Sequence, residues 1–404
     1  MQRKIGVIRC SPIMMGKAFW LFYIMILIRN IIELLEVALR GETQIANFFS
    51  YAMFAYAVFA IIAYSNTHNL LKSACSLVFI VVFFELSALL FKNNATYIHD
   101  SILNVLLTCF PHFAIALGIS DYDDLQERME KYFPIYMILS WLLIVLTYSG
   151  LVITKSNDYM KIAYDIMIPI GVSGYLATKY RDFKHYALFI ASAVALLFIG
   201  CRGAFAAVAV AFLISLFKVE DNRRMRWITM IVAVLIFLFF NEILEFSSYV
   251  LGLIGYDSRI ITRISQGSFF QSSGRDLIRL RIMGYAQNQG FRMFGIFGDR
   301  YLGEITMNNE TYMHNIALEF VIDYGIILGI LLLVILAFMI IRNWRRSSHS
   351  ELVILSLFSV MAIVKLMLSN SYLVDSLFYS FLGLQFSAGY LQNQRRIQRK
   401  GGIQ

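Results

Sequence analysis

Charged side chains are scarce in this chain of 404 residues: Asp, Glu, Lys and Arg make up 15% of it, where soluble domains carry roughly a quarter. With 59% hydrophobic residues and a mean hydropathy of +0.67, it cannot be an ordinary soluble globular protein. Its apolar runs also lack the alternation of polar and apolar residues that the strands of an outer-membrane barrel require. Cysteine is limited to Cys10, Cys75, Cys109 and Cys201, in or beside different apolar runs and without paired spacing, so neither a disulfide framework nor a zinc site is expected. No clear small-residue cleavage site follows the basic N-terminus, and the first apolar run is expected to stay as an anchor. Internal repeats of the kind that build many transporters are not visible.

What is present is a succession of apolar runs of about twenty residues, each long enough to cross a hydrocarbon core of roughly 30 Å as a helix. Hydropathy predicts about twelve spans, near residues 17–39, 44–65, 69–91, 97–120, 134–153, 158–178, 184–200, 203–217, 227–246, 314–341, 352–369 and 373–391. The first is the weakest, because Arg29, Glu33 and Glu36 lie inside it. The expected fold class is all-α: a polytopic membrane helix bundle, one transmembrane domain over residues 1–404. Lys and Arg in the short loops orient it. With the N-terminus in the cytoplasm, that side receives Arg3, Lys4, Lys179, Arg181, Arg223, Arg224, Arg342, Arg345, Arg395 and Arg396 among others. The opposite short loops keep only Arg40, Lys92, Lys155 and Arg202. An even number of spans puts both termini inside, and the formal net charge of +9 is then mostly a topological signal that implies no nucleic acid.

A single connection is long, residues 247–313, and the charge bias places it outside. It mixes aromatics, Ile, Leu and Gly with its charges, which argues against disorder. Within it "SSGRDLIRLRIMGYAQNQG" predicts a helix, with Ser273 and Asp276 at capping-box spacing and Gly290 as a stop. Arg275 and Arg279 are four apart and share a face, while Arg281 turns away. Paired guanidinium groups beside a helix start suit a phosphate; an exposed charged face paired with Asp276 is the plainer reading. The stretch from residue 256 to 311 contains no lysine, which favours the bidentate reading slightly.

Four further features carry polar chemistry in apolar surroundings. In "GCRGAFAAVAVAF", Arg202 sits in a turn of small residues, as a snorkelling anchor or as a partner for a lipid phosphate. His314 opens the tenth span, as a polar cap or as a proton acceptor, and Asn315, Glu319 and Asp323 recur every four residues behind it. Such a stripe should face protein or a cavity and not lipid. "DYDD", Asp121 to Asp124, has the D-x-D spacing of metal and nucleotide-diphosphate sites, but lies in what reads as an amphipathic interfacial helix. Lys365, in the eleventh span, is expected to pair with a carboxylate or phosphate.

Taken in order, "GCRGAFAAVAVAF", "SGRDLIRLRIMGYAQNQGFRMFGIFG" and "HNIALEFVIDYGIILGILL" resemble three segments of the O-antigen polymerase and O-antigen ligase superfamily. These are its S-R-G-A turn, its S-G-R helix with a following G-x-G turn, and its H-N-x-x-L-E segment with trailing glycines. Cys201 stands where Ser is common, and the first half of the chain resembles the family only in hydropathy. The resemblance implies a GT-C-type glycosyltransferase of the bacterial cytoplasmic membrane, acting at its outer face on undecaprenyl-diphosphate-linked oligosaccharides without cofactor or metal. His314, Arg202 and Arg275 would then be catalytic and Arg279, Asn315 and Glu319 substrate-binding. Among the jobs within the family, a polysaccharide polymerase is expected over an O-antigen ligase or a protein O-glycosyltransferase, because no extra soluble domain is visible. Its partners would be the lipid-linked donor and acceptor, membrane lipid and a chain-length regulator. A flippase for the same lipid is the alternative from a different class.

Overall fold

The computed structural model describes residues 13–40, 43–65, 67–90, 98–99, 102, 105–148, 158–199, 201–218 and 314–401, with isolated positions between 227 and 294. All regular structure among the described residues is helical: α1 (Ile13–Arg40), α2 (Gln44–Tyr64), α3 (Thr67–Leu90), a π-helical turn (Val105–Cys109) running into α4 (Phe110–Leu117), α5 (Tyr122–Tyr148), α6 (Asp158–Tyr180), α7 (Phe183–Phe198), α8 (Arg202–Lys218), α9 (Ile316–Arg346), α10 (His349–Leu368) and α11 (Ser376–Gly401). Six of these, α1, α2, α3, α5, α9 and α10, are long and apolar enough to cross a membrane.

The expected twelve spans are therefore not reached among the described residues. Hydropathy cannot separate a lipid-crossing helix from a short helix buried in protein. The apolar stretches Val105–Leu117, Phe183–Leu197 and Gly203–Phe217 are of the shorter kind. Helix α6 carries Asp158, Lys161, Asp165 and Lys179, and α11 runs on into a polar, basic end. The ninth expected span, 227–246, lies almost wholly outside the described residues.

The doubtful first span is one continuous helix of 28 residues in which Arg29, Glu33 and Glu36 each find a partner. Arg29 pairs with Glu33 at 3.1 Å, and Lys161 of α6 reaches the same carboxylate at 2.6 Å. Buried Glu36 accepts the backbone N–H groups of Ile45 and Ala46 at 2.8 and 3.0 Å, satisfying donors that the start of α2 leaves open. Its opposite face is aromatic: Trp20 donates to the Leu125 carbonyl at 2.7 Å and packs edge-on against Tyr136, which ties α1 to α5.

Helix α10 is buried along almost its whole length, and α6 with it. Helices α2, α3 and the far part of α9 instead leave Phe48, Phe59, Phe79, Val82, Ile335 and Phe338 exposed, the surface a hydrocarbon solvent would cover. The D-x-D stretch and the span after it form one helix. Asp121 caps it, accepting from the N–H of Asp123 and Asp124 at 3.0 Å, and Asp124 binds Arg128 at 2.7 Å. Asp121 is engaged as a cap and Asp124 in an ion pair, and no group of three or more metal-ligating side chains occurs among the described residues.

The tenth expected span is two helical arms. At Gly325 the backbone takes φ 81, ψ 169 and α9 breaks. The bend is sharp enough to bring the two arms into contact: a Cβ on Gly329 would stand 2.5 Å from the Phe320 carbonyl oxygen and 2.8 Å from the Val321 Cα. Only glycine fits at either place, at Gly325 for its positive φ and at Gly329 for the close approach of backbone. The membrane-crossing part is then the arm after Gly325, on the order of 31 Å long at 1.5 Å per residue. The polar-striped arm Ile316–Tyr324 is a separate short helix.

Candidate functional site

The short arm of α9 begins with Asn315, whose side-chain oxygen accepts the N–H groups of Ala317 and Leu318 at 3.1 Å each. Asn therefore acts as a helix cap, which its short acceptor side chain suits. His314 just before it adopts φ 50, a left-handed conformation uncommon for a residue with a Cβ, and is only 4% exposed. Local strain of this kind persists where the surroundings over-determine it.

Those surroundings come from the long connection. Arg279 donates from its guanidinium to the His314 carbonyl at 2.6 Å and makes a longer contact with the Met367 carbonyl at 3.5 Å. Fourteen residues on, Met293 accepts the Ile327 N–H at 3.1 Å, a donor that the break at Gly325 leaves open. The Met293–Phe294 backbone lies so close to Gly325 that a Cβ there would come within 2.7 Å of it. Two pieces of the connection thus hold the two ends of the short arm.

The start of α8 meets the same end of the bundle. A Cβ on Gly203 would overlap the Tyr164 hydroxyl and come within 3.4 Å of Leu368, one residue from the Met367 carbonyl that Arg279 touches. The glycine after Arg202 thus lets α8 close onto α6 and the end of α10. The side chain of Arg202, and Arg275 altogether, lie outside the described residues.

The polar stripe of the short arm faces protein, as its spacing requires: Glu319 is 2% and Asp323 1% exposed. Glu319 accepts a hydrogen bond from the Ser371 hydroxyl, and Asp323 accepts one from Tyr372 at 2.8 Å. Tyr372 also lies 3.0 Å from the Tyr324 hydroxyl. Asn315 and Glu319 therefore shape and anchor the arm, whereas His314, Arg279 and the start of α8 lie around its beginning.

Below this runs a layer that sequence reasoning did not assemble. Lys365, in the last turn of α10, pairs with Asp375 at 2.6 Å. Asp375 accepts from Asn370 at 2.7 Å and caps α11 through the Phe378 N–H at 2.8 Å. On α6, Asp165 accepts from Asn30 of α1 at 2.7 Å. Lys365 and Asp165 together with Tyr23, Tyr164 and Ser376 line a cavity of about 20 Å³, room for about one water molecule. The carboxylate partner of Lys365 bears out the pairing expected of it. Asp165 and Asp375 were detectable as carboxylates in or beside apolar runs; Ser371 and Tyr372 carry no such signal.

Comparison of the chain with known protein families, with curated proteins and with solved structures finds no match.

Proposed function

We propose that this membrane protein is a glycosyltransferase of the O-antigen polymerase and ligase type, and within it a polysaccharide polymerase. It would transfer a growing glycan from undecaprenyl diphosphate to the next lipid-linked repeat unit. The observation that carries this reading is the bond from Arg279 to the His314 carbonyl, because it joins the arginine-bearing connection to the His-Asn helix start across 35 positions of sequence. The contact of Gly203 with the end of α10 brings the third motif to the same neighbourhood.

The chemistry needs few parts. An acceptor hydroxyl attacks the anomeric carbon of the donor sugar, its bond to the diphosphate oxygen breaks, and the configuration inverts. His314 takes the hydroxyl proton as the new bond forms. Negative charge grows on the leaving undecaprenyl diphosphate, and fixed guanidinium groups stabilise it best when already oriented. Arg202 and Arg275 fill this role, with Arg279, which donates to the His314 carbonyl, as the third cation beside the substrate. Arginine suits the task because its planar fork matches two phosphate oxygens at once. A diphosphate-activated donor needs no nucleotide, and the reaction needs no cofactor.

The test is reconstitution. Purified protein in detergent receives only undecaprenyl-diphosphate repeat units from its own host, and a ladder of longer lipid-linked glycans is expected. Product that forms only after lipid A core or a protein acceptor is added would reassign the chain to a ligase or protein glycosyltransferase. Movement of the lipid across liposomes with no transfer to any acceptor would make it a flippase.

A further inference from the structure

The turn between α10 and α11, residues 369–375, grips the short arm of α9 from its middle and is closed at its ends by an ion pair. Lys365 stands just before the turn and Asp375 at its end, 2.6 Å apart and both buried. Between them Asn370 adopts φ 65 and donates to the same carboxylate at 2.7 Å, so the turn is pulled shut from two directions. The next two residues, Ser371 and Tyr372, are those that hold Glu319 and Asp323. Both carboxylates lie on the short arm, whose first turn follows directly on His314 and its Asn315 cap.

We infer that the Lys365–Asp375 pair is a positioning device: it sets the turn that sets the short arm, and through the arm the place of His314. The inference rests on the glycosyl-transfer reading only for what His314 does, not for where it is held. Three facts make a latch more than a local staple. The pair ties the last turn of α10 to the residue that caps α11, so it joins the two helices on either side of the turn. Asp375 binds three donors at once, from Lys365, Asn370 and the Phe378 backbone. Both grips on the arm are hydrogen bonds made from inside the closed turn, and hydrogen bonds tolerate little displacement before they weaken. In these bonds Lys365 reaches the arm only by way of the turn, so it is a positioning and not a catalytic residue.

The test separates geometry from chemistry. In a variant whose native cysteines Cys10, Cys75, Cys109 and Cys201 are replaced, Ala317→Cys puts a half-buried thiol on the short arm. Its rate of reaction with N-ethylmaleimide in detergent reports how firmly the arm is held. Lys365→Met should raise that rate at least about tenfold at a temperature where global unfolding has not begun, and Lys365→Arg, which keeps the pair, should restore most of the protection. In the reconstituted transfer assay the Met variant should lose about a hundredfold in kcat with KM nearly unchanged, the cost expected of a catalytic group about 1 Å out of place. If the thiol stays protected in the Met variant, or if the Arg variant labels as fast as the Met variant, the latch does not exist. If labelling behaves as expected but no variant, wild type included, transfers sugar, the latch stands and the transferase reading fails.

Discussion

The left-handed backbone of His314 is the most informative single position in the chain. A residue with a Cβ adopts φ 50 at some cost, and here both neighbours profit: Asn315 can cap the short arm, and the His314 carbonyl turns toward Arg279. A plain helix cap would need only the first. We expect His314→Ala to fold, insert and bind lipid-linked substrate, yet to turn over roughly a hundredfold more slowly, the usual cost of removing a general base. Single-turnover kinetics at saturating substrate check this, since they separate the chemical step from binding. A rate near that of the wild type would leave His314 as a shaping residue and move the base elsewhere. In the sequence His314 was visible as a polar group heading an apolar run, but its conformation was not, because φ at one residue is imposed by what packs on both sides of it.

At the scale of the element, α9 shows how hydropathy hides a break. Residues 314–341 read as one span because apolar residues dominate throughout and a single glycine does not lower the average. The break follows from Gly325 and Gly329 acting together, one for its φ and the other for the absence of a side chain against Phe320 and Val321. Gly329→Ala should destabilise the protein by about 1–3 kcal/mol, the typical cost of forcing a methyl group into filled space. Gly325→Ala should cost at least as much, since it adds the penalty of about 1–3 kcal/mol for a positive-φ, extended backbone that essentially only glycine adopts to a clash with the Met293–Phe294 backbone. Thermal unfolding of the two variants in detergent measures both. Unchanged midpoints would mean that the two arms do not touch. The four-residue period of Asn315, Glu319 and Asp323, by contrast, was readable beforehand, because helical geometry alone puts such residues on one face.

Among the described residues, the ion pairs lie toward two ends of an apolar bundle. At one end lie Glu33 with Lys161, Asn30 with Asp165, Lys365 with Asp375, and Glu319 with Ser371. At the other lie Asp124 with Arg128, Glu130 with Lys179, and Glu351 with Arg395. The end that holds Lys179, Arg342, Arg345 and Arg395 is the one that the distribution of Lys and Arg assigns to the cytoplasm. Single cysteines at Gln271 and Asn308 should therefore label with an impermeant thiol reagent from outside intact membranes, and one at Asn222 should not. The reverse pattern would place the His314 end inside the cell and defeat the proposed reaction. Composition and apolar run length determined by themselves that this is a helical membrane protein, because a chain so poor in charge has to bury its backbone polar groups in helices once it leaves water. The same reading did not fix the number of spans, of which six are long and apolar enough among the described residues, since a short helix sheathed by protein and one bathed in lipid are equally apolar. Only the tertiary structure decided that α9 breaks, that Ser371 and Tyr372 grip its polar stripe, and that Arg279 reaches His314. Each of these depends on contacts between segments far apart in the chain, and nothing in the local pattern of residues encodes which distant segment will arrive.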